Sequence, residues 1–135
     1  MYQQMIFVNL ATDDVEASKK FFTELGYTIN PQFSTDDCAC VVISDTIITM
    51  LLSKQRYADF TKKEIADSTK TSEVLICLSA ESREKVDELV GRAVAAGGTA
   101  NDDVQDYGYM YGRSFEDLDG HGWEIVWMDP AAVQG

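Results

Sequence analysis

The chain has 135 residues, and 11 Lys and Arg against 23 Asp and Glu leave a formal net charge of −12 at pH 7. That length predicts a single compact domain, and the charge, with no basic cluster to offset it, excludes nucleic acid and anionic membrane as partners. One histidine, His121, excludes three-His zinc centres and the two-His-one-carboxylate iron triad, while 45% hydrophobic residues exclude a disordered acidic tail.

The N-terminus, Met1-Tyr2-Gln3-Gln4, has no basic n-region, and no run of about 18 apolar residues follows anywhere. Residues 5–10 predict a strand, and Asp13 with Glu16 predicts a capped helix that ends at Gly26. Val15, Ser18, Phe22 and Leu25, with Phe21 beside them, form its inward stripe. Residues 27–33, 38–44 and 46–53 predict three further strands, so the order is β-α-β-β-β. Cys38 and Cys40 point the same way within one strand, and with Cys77 they make an odd count. All three are expected to be reduced, which places the protein in the cytoplasm.

Residues 54–71 form a long connection, with Thr61 and Glu64 predicting a short capped helix and Tyr57, Phe60 and Ile65 as anchors. It reads either as a lid or interface segment or as a bridge between two halves. The order then repeats. Residues 73–79 predict a strand, and Val86, Leu89, Val90, Ala93 and Val94 have the spacing of a helix stopped by Gly97-Gly98. Strands are predicted near 99–104, 107–116 and 121–128. Superposing the halves needs an offset of 68 at the first strands, which pairs Phe7 with Leu75, and 75 at the last, which sets Thr49 opposite Glu124.

Two β-α-β-β-β units of this size, the second closing with Asp117-Leu-Asp-Gly-His-Gly-Trp-Glu124, resemble the vicinal oxygen chelate superfamily of glyoxalases, bleomycin resistance proteins and dioxygenases. The resemblance spans residues 5 to about 129. It implies an α+β fold in which two βαβββ modules, 4–53 and 72–129 joined by 54–71, curl into an open mixed β-sheet barrel with helices outside. It also implies a single domain, 1–135, with a ligand cavity on the concave face, and a homodimer. Enzymes of the superfamily hold a divalent metal through side chains of the first and last strands of each unit. Here Glu124 matches one such position, whereas Phe7, Leu75 and Thr49 stand at the other three. One carboxylate does not hold a catalytic metal in water, so no metal or other cofactor is expected.

Period-2 alternation sorts the faces. Ile6, Val8, Leu10, Val74, Ile76, Leu78, Trp123, Ile125 and Trp127 are expected under the helices. Phe7, Asn9, Thr49, Leu75, Cys77, Glu124 and Met128 are expected to line the cavity. A three-residue hairpin loop, Leu118-Asp119-Gly120 with Gly120 left-handed, pairs Ser114 with Glu124 and adds Ser114 and Met110 to that wall; another register turns Tyr109, Tyr111 and Arg113 inward instead. Glu124 reads either as the carboxylate of the site, and the best catalytic candidate, or as a strand residue near a rim. His121 reads as a turn cap or a titrating group, and Arg113 as an anion ligand or an ion-pair partner of Glu116 or Asp117. Three functions follow. They are a metal-free protein that binds a small, partly apolar molecule, a metal-dependent lyase or dioxygenase of the superfamily, and a dimeric scaffold without ligand.

Overall fold

The computed structural model describes residues 1–133, so the end of the expected 1–135 domain lies outside the described residues. The chain divides into two compact units, Met1–Asp67 and Ser68–Gly135. The first carries the β-α-β-β-β order, and the second repeats it with one short strand added. Among the described residues no helix is long and apolar enough to cross a membrane.

The first unit contains β1 (Ile6–Thr12), α1 (Val15–Glu24), β2 (Thr28–Ile29), β3 (Cys38–Val42) and β4 (Ile47–Ser53), then a one-turn helix α2 (Lys54–Tyr57). Its sheet runs β1-β4-β3-β2, with β1 parallel to β4 and the other pairs antiparallel. Asp14, rather than Asp13, caps α1, its carboxylate accepting from the Ala17 backbone N–H at 3.0 Å. Asp13 instead pairs with Lys54 at 2.7 Å. All five stripe residues of α1 are buried, and Ser18 is satisfied by the Thr12 hydroxyl at 2.7 Å.

The strand expected over 27–33 stops at Ile29. Pro31 lacks the N–H a ladder needs, and Asn30 caps a 3-10 turn over Pro31–Phe33. The helix in the connection also lies earlier than expected. Ser53 caps α2 through the Arg56 N–H, whereas the Thr61 hydroxyl only closes a local turn onto the Lys63 N–H.

The second unit contains β5 (Leu75–Ser79), α3 (Arg83–Ala95), β6 (Thr99–Ala100), β7 (Gln105–Asp106), β8 (Met110–Glu116) and β9 (Gly122–Met128), followed by a short α4 (Pro130–Val133). The sheet order is β5-β9-β8-β6, with β7 added on β8 and β5 parallel to β9. The strand expected over 99–104 shrinks to two residues, and the 107–116 strand begins only at Met110 after a turn at Gly108, whose φ is +83°. α3 packs on β8 and β9 through Val86, Val90 and Ala93, and under it Trp123 and Ile125 reach 1% and 0% exposure. Ile6 and Val74, expected under the helices, are exposed; each stands at or before the start of an edge strand, beyond the reach of its helix.

Candidate functional site

The hairpin between β8 and β9 closes through Leu118-Asp119-Gly120, with Gly120 at φ +84° and its N–H on the Asp117 carbonyl at 3.1 Å. That geometry fixes the register: Ser114 lies beside Glu124, Phe115 beside Trp123 and Met110 beside Met128. Tyr111 and Arg113 therefore share the α3 face with Phe115. There Tyr111 donates to Asp87 at 2.7 Å and Arg113 reaches the same carboxylate oxygen at 3.1 Å. The Arg113 partner is thus on α3, not Glu116 or Asp117. The Tyr111 hydroxyl first, and then Arg113, hold the Asp87 carboxyl below its ordinary value. Arg83 clasps Asp106 through two bonds of 2.8 and 2.9 Å while its guanidinium lies over the rings of Tyr111 and Trp127. On this face charge is paired.

The opposite face of the sheet forms the floor of a cavity of about 600 Å³. Ser114 and Glu116 of β8, Gly122 and Glu124 of β9, and Leu75 of β5 contribute to the floor, residues 68–74 form one wall, and residues 99–101 form another. Glu116 and Glu124 lie diagonally across the strand pair, and among the described residues neither carboxylate makes a hydrogen bond or ion pair. Gly122 makes room for the Leu75 side chain, since a Cβ there would stand 2.8 Å from Leu75 Cδ2.

Leu75, Ser114 and Glu124 thus meet as expected. Cys77, Met110 and Met128 share their face but lie outside the cavity lining. Partial burial of its sulfur, and then the Glu124 carboxylate beside it, push the Cys77 thiol above its ordinary value, so it is not an activated nucleophile. Phe7 and Asn9 belong to the first unit, on one face of β1. Thr49 does not join them. Its ladder partners are Val8 and Val41, on the opposite face, and its side chain is fully buried with an Oγ1 that has no hydrogen-bond partner. The offset at the last strands is accordingly one residue less than the sequence suggested. Asn9 pairs with Met50 and Cys77 with Glu124, so Met50 holds the place of Glu124 in the first unit.

The wall residues 68–73, with Thr99, Asn101, Glu116 and His121, were not anticipated in the lining. Of these only His121 carried a signal, as the sole histidine in a glycine turn. The turn is built around the buried Asp117. Its Oδ1 accepts the Asp119 and His121 backbone N–H groups at 3.0 Å each, and its Oδ2 accepts Trp123 Nε1–H at 3.0 Å. Burial pushes the Asp117 carboxyl up, against the pull of His121 and of these donors. His121 Nδ1 lies 3.1 Å from the Ser68 hydroxyl.

The residues present do not fit the divalent metal of superfamily enzymes. Phe7 and Leu75 offer no donor atom, Thr49 faces away, Met50 is a thioether, and Glu124 has Cys77 and Ser114 as ladder neighbours. Asp117, Asp119 and His121 bring potential donors within 4.8 Å of one another, but the Asp117 oxygens are already engaged by three N–H groups of the turn.

Residues 4–44 match the family described as bleomycin resistance protein-like, N-terminal. No curated protein matches the chain. Among solved structures, a hypothetical protein SA1046 from S. aureus is 29% identical, with 94% of each chain covered and a TM-score of 0.78. A glyoxalase-related enzyme from Fulvimarina pelagi is 22% identical over 93% of this chain and 88% of its own, at a TM-score of 0.78. A glyoxalase/bleomycin resistance protein/dioxygenase family enzyme from Burkholderia phytofirmans PsJN is 19% identical over 93% and 99%, at 0.76. A fold shared over more than nine-tenths of the chain with these structures gives this protein a glyoxalase-like fold, and its first module is similar to the bleomycin resistance protein-like N-terminal family.

Proposed function

We propose that the protein is a glyoxalase/bleomycin-resistance-like binding protein that works without a metal and encloses a small, partly apolar molecule in the cavity of its second unit. The observation that carries this reading is the cavity itself. Its volume of about 600 Å³ is that of a small-molecule site, and Leu75 beside Ser114 and Glu124 supplies an apolar surface with a few polar groups. The missing donor set argues against the lyase and dioxygenase chemistry of related enzymes, which routes substrate oxygens through the metal. Glu124 is left as a ligand-facing carboxylate, and the free thiols suit a cytoplasmic protein.

Thermal melts against a panel of aromatic amines and planar drugs test this, because a ligand of the native state raises the midpoint as RT ln(1 + [L]/Kd). The expected result is an upward shift that Glu124→Gln abolishes. A flat response from the native protein favours a scaffold without ligand. Elemental analysis is expected to find no stoichiometric Zn, Ni, Fe or Mn; one equivalent coordinated by Glu124 would establish the enzyme reading instead. A homodimer is also expected, since Ile6 and Phe7 on β1 and Leu75 on β5 are exposed apolar residues on the edge strands of their sheets. Light scattering that returns a single chain's 15.0 kDa at high concentration would remove it.

A further inference from the structure

The hairpin Asp117–His121 has more internal order than a connecting turn needs, and one wall of the cavity rests on it. Ser68 opens the wall segment, and its backbone lies directly on Gly120. A Cβ at Gly120 would stand 2.9 Å from the Ser68 carbonyl oxygen and 3.0 Å from its carbonyl carbon and from the Thr69 nitrogen. The Ser68 hydroxyl meets His121 Nδ1 at 3.1 Å, so backbone and side chain of one residue are seated on two neighbours of the turn. The turn in turn is held by the Asp117 carboxylate, whose bonds to the Asp119 and His121 N–H groups and to Trp123 Nε1 fix where Gly120 and His121 sit. From Ser68 the chain runs through residues 69–74 along the cavity and enters β5 at Leu75, whose side chain fills the space that Gly122 leaves open. The wall is therefore fastened to the hairpin turn at one end and to the start of β9 at the other.

We propose that Gly120 and His121 are positioning residues of the ligand site: by seating Ser68 they hold residues 69–74 against the cavity floor and so set how tightly the cavity closes around its occupant. This inference rests on the binding reading above, and it adds that the turn acts through the wall and not by touching ligand. A single neutral hydrogen bond changes an equilibrium by about fivefold, whereas removing the clearance at Gly120 forces backbone apart from backbone. The two kinds of change should therefore rank.

The test uses the full chain, with Ser68→Ala, His121→Ala, the double variant and Gly120→Ala, and two readouts. The first needs no ligand: amide hydrogen exchange of residues 69–74 against that of α3. Each single variant is expected to speed exchange in 69–74 by about fivefold while α3 is unchanged. The double variant is expected to add little, because both changes delete one contact. Gly120→Ala is expected to exceed them; if it does not fold, the Ser68 and His121 variants still decide the matter. The second readout is stopped-flow dissociation of N-phenyl-1-naphthylamine, a neutral fluorescent probe, expected to accelerate by a similar factor in the same variants. Unchanged exchange overturns the latch whatever the probe does. Faster exchange with unchanged dissociation overturns the positioning role, leaving only a structural tie. If the native protein fails to bind the probe, the binding reading and the role built on it fall together, and the exchange data then identify the tie as structural.

Discussion

The second unit repeats the first unit's order of elements with β7 added and keeps its parallel outer ladder, yet equivalent rows carry different chemistry. In the first unit one row reads Asn9, Met50, Cys40 across β1, β4 and β3; its counterpart in the second reads Cys77, Glu124, Ser114 across β5, β9 and β8. On the other face, Val8, Thr49 and Val41 stand where the second unit has Ile76, Trp123 and Phe115. The hairpins differ as sharply. Ser44, Asp45 and Thr46 turn the first with side chains open to solvent or half-buried, whereas the second is organised about a carboxylate buried to 6% exposure. Repetition of backbone thus constrains which positions face which way, and it leaves each unit free to place or omit polar chemistry there.

That contrast is broken most forcefully at the turns. Asp117→Ala strands two backbone N–H groups and the Trp123 indole N–H, each costing roughly 1–3 kcal/mol when buried and unpaired, so a loss of about 3 kcal/mol or more is expected in urea unfolding. Asp45→Ala in the first hairpin should stay within about 0.5 kcal/mol. Equal losses would mean that the two turns are held alike after all. The row equivalence is probed by exchanging residues. Met50→Glu sets an unpaired carboxylate in a half-buried position of the first unit and is expected to cost roughly 1–2 kcal/mol, while Glu124→Met should be neutral or stabilising. A destabilising Glu124→Met would assign that carboxylate a structural partner.

Thr49 gives a smaller and cleaner reading. Its hydroxyl is fully buried without a hydrogen bond, and valine has the same shape without it, so Thr49→Val is expected to gain about 1 kcal/mol by thermal or urea unfolding. A loss instead would show that the hydroxyl is satisfied in solution.

The sequence made the repeated order and the α1 stripe legible because each rests on a local signal, strand alternation and helical spacing; it left the β8–β9 register between two alternatives, and the left-handed Gly120 of the structure decides between them. Thr49 was misplaced because the halves were aligned at the last strands by sequence, where residue identity is weak, and a one-residue slip exchanges the faces of a strand. The parallel β1–β4 ladder, a pairing between distant segments, corrects it. The cavity wall at 68–74 was invisible for a related reason. Its place depends on the Gly120 clearance and the Ser68–His121 bond, and both join residues about fifty positions apart. The Arg113 partner was missed likewise, since Asp87 lies on α3 and sequence proximity pointed to Glu116.

The smallest expected effect concerns the paired face of the second sheet. Arg83 hydrogen-bonds Asp106, and with the Gly108 backbone N–H it holds that carboxyl down at about 2 against an ordinary value of 3.8. The folded state therefore favours the ionised form, and its contribution to stability is full above the ordinary value and fades as pH falls from about 4 through about 2. Both side chains are substantially open to solvent, so the effect on the melting midpoint should be slight and the site is better read directly. Carboxyl-carbon NMR is expected to place the Asp106 midpoint near 2, and Arg83→Gln should return it toward the ordinary aspartate range.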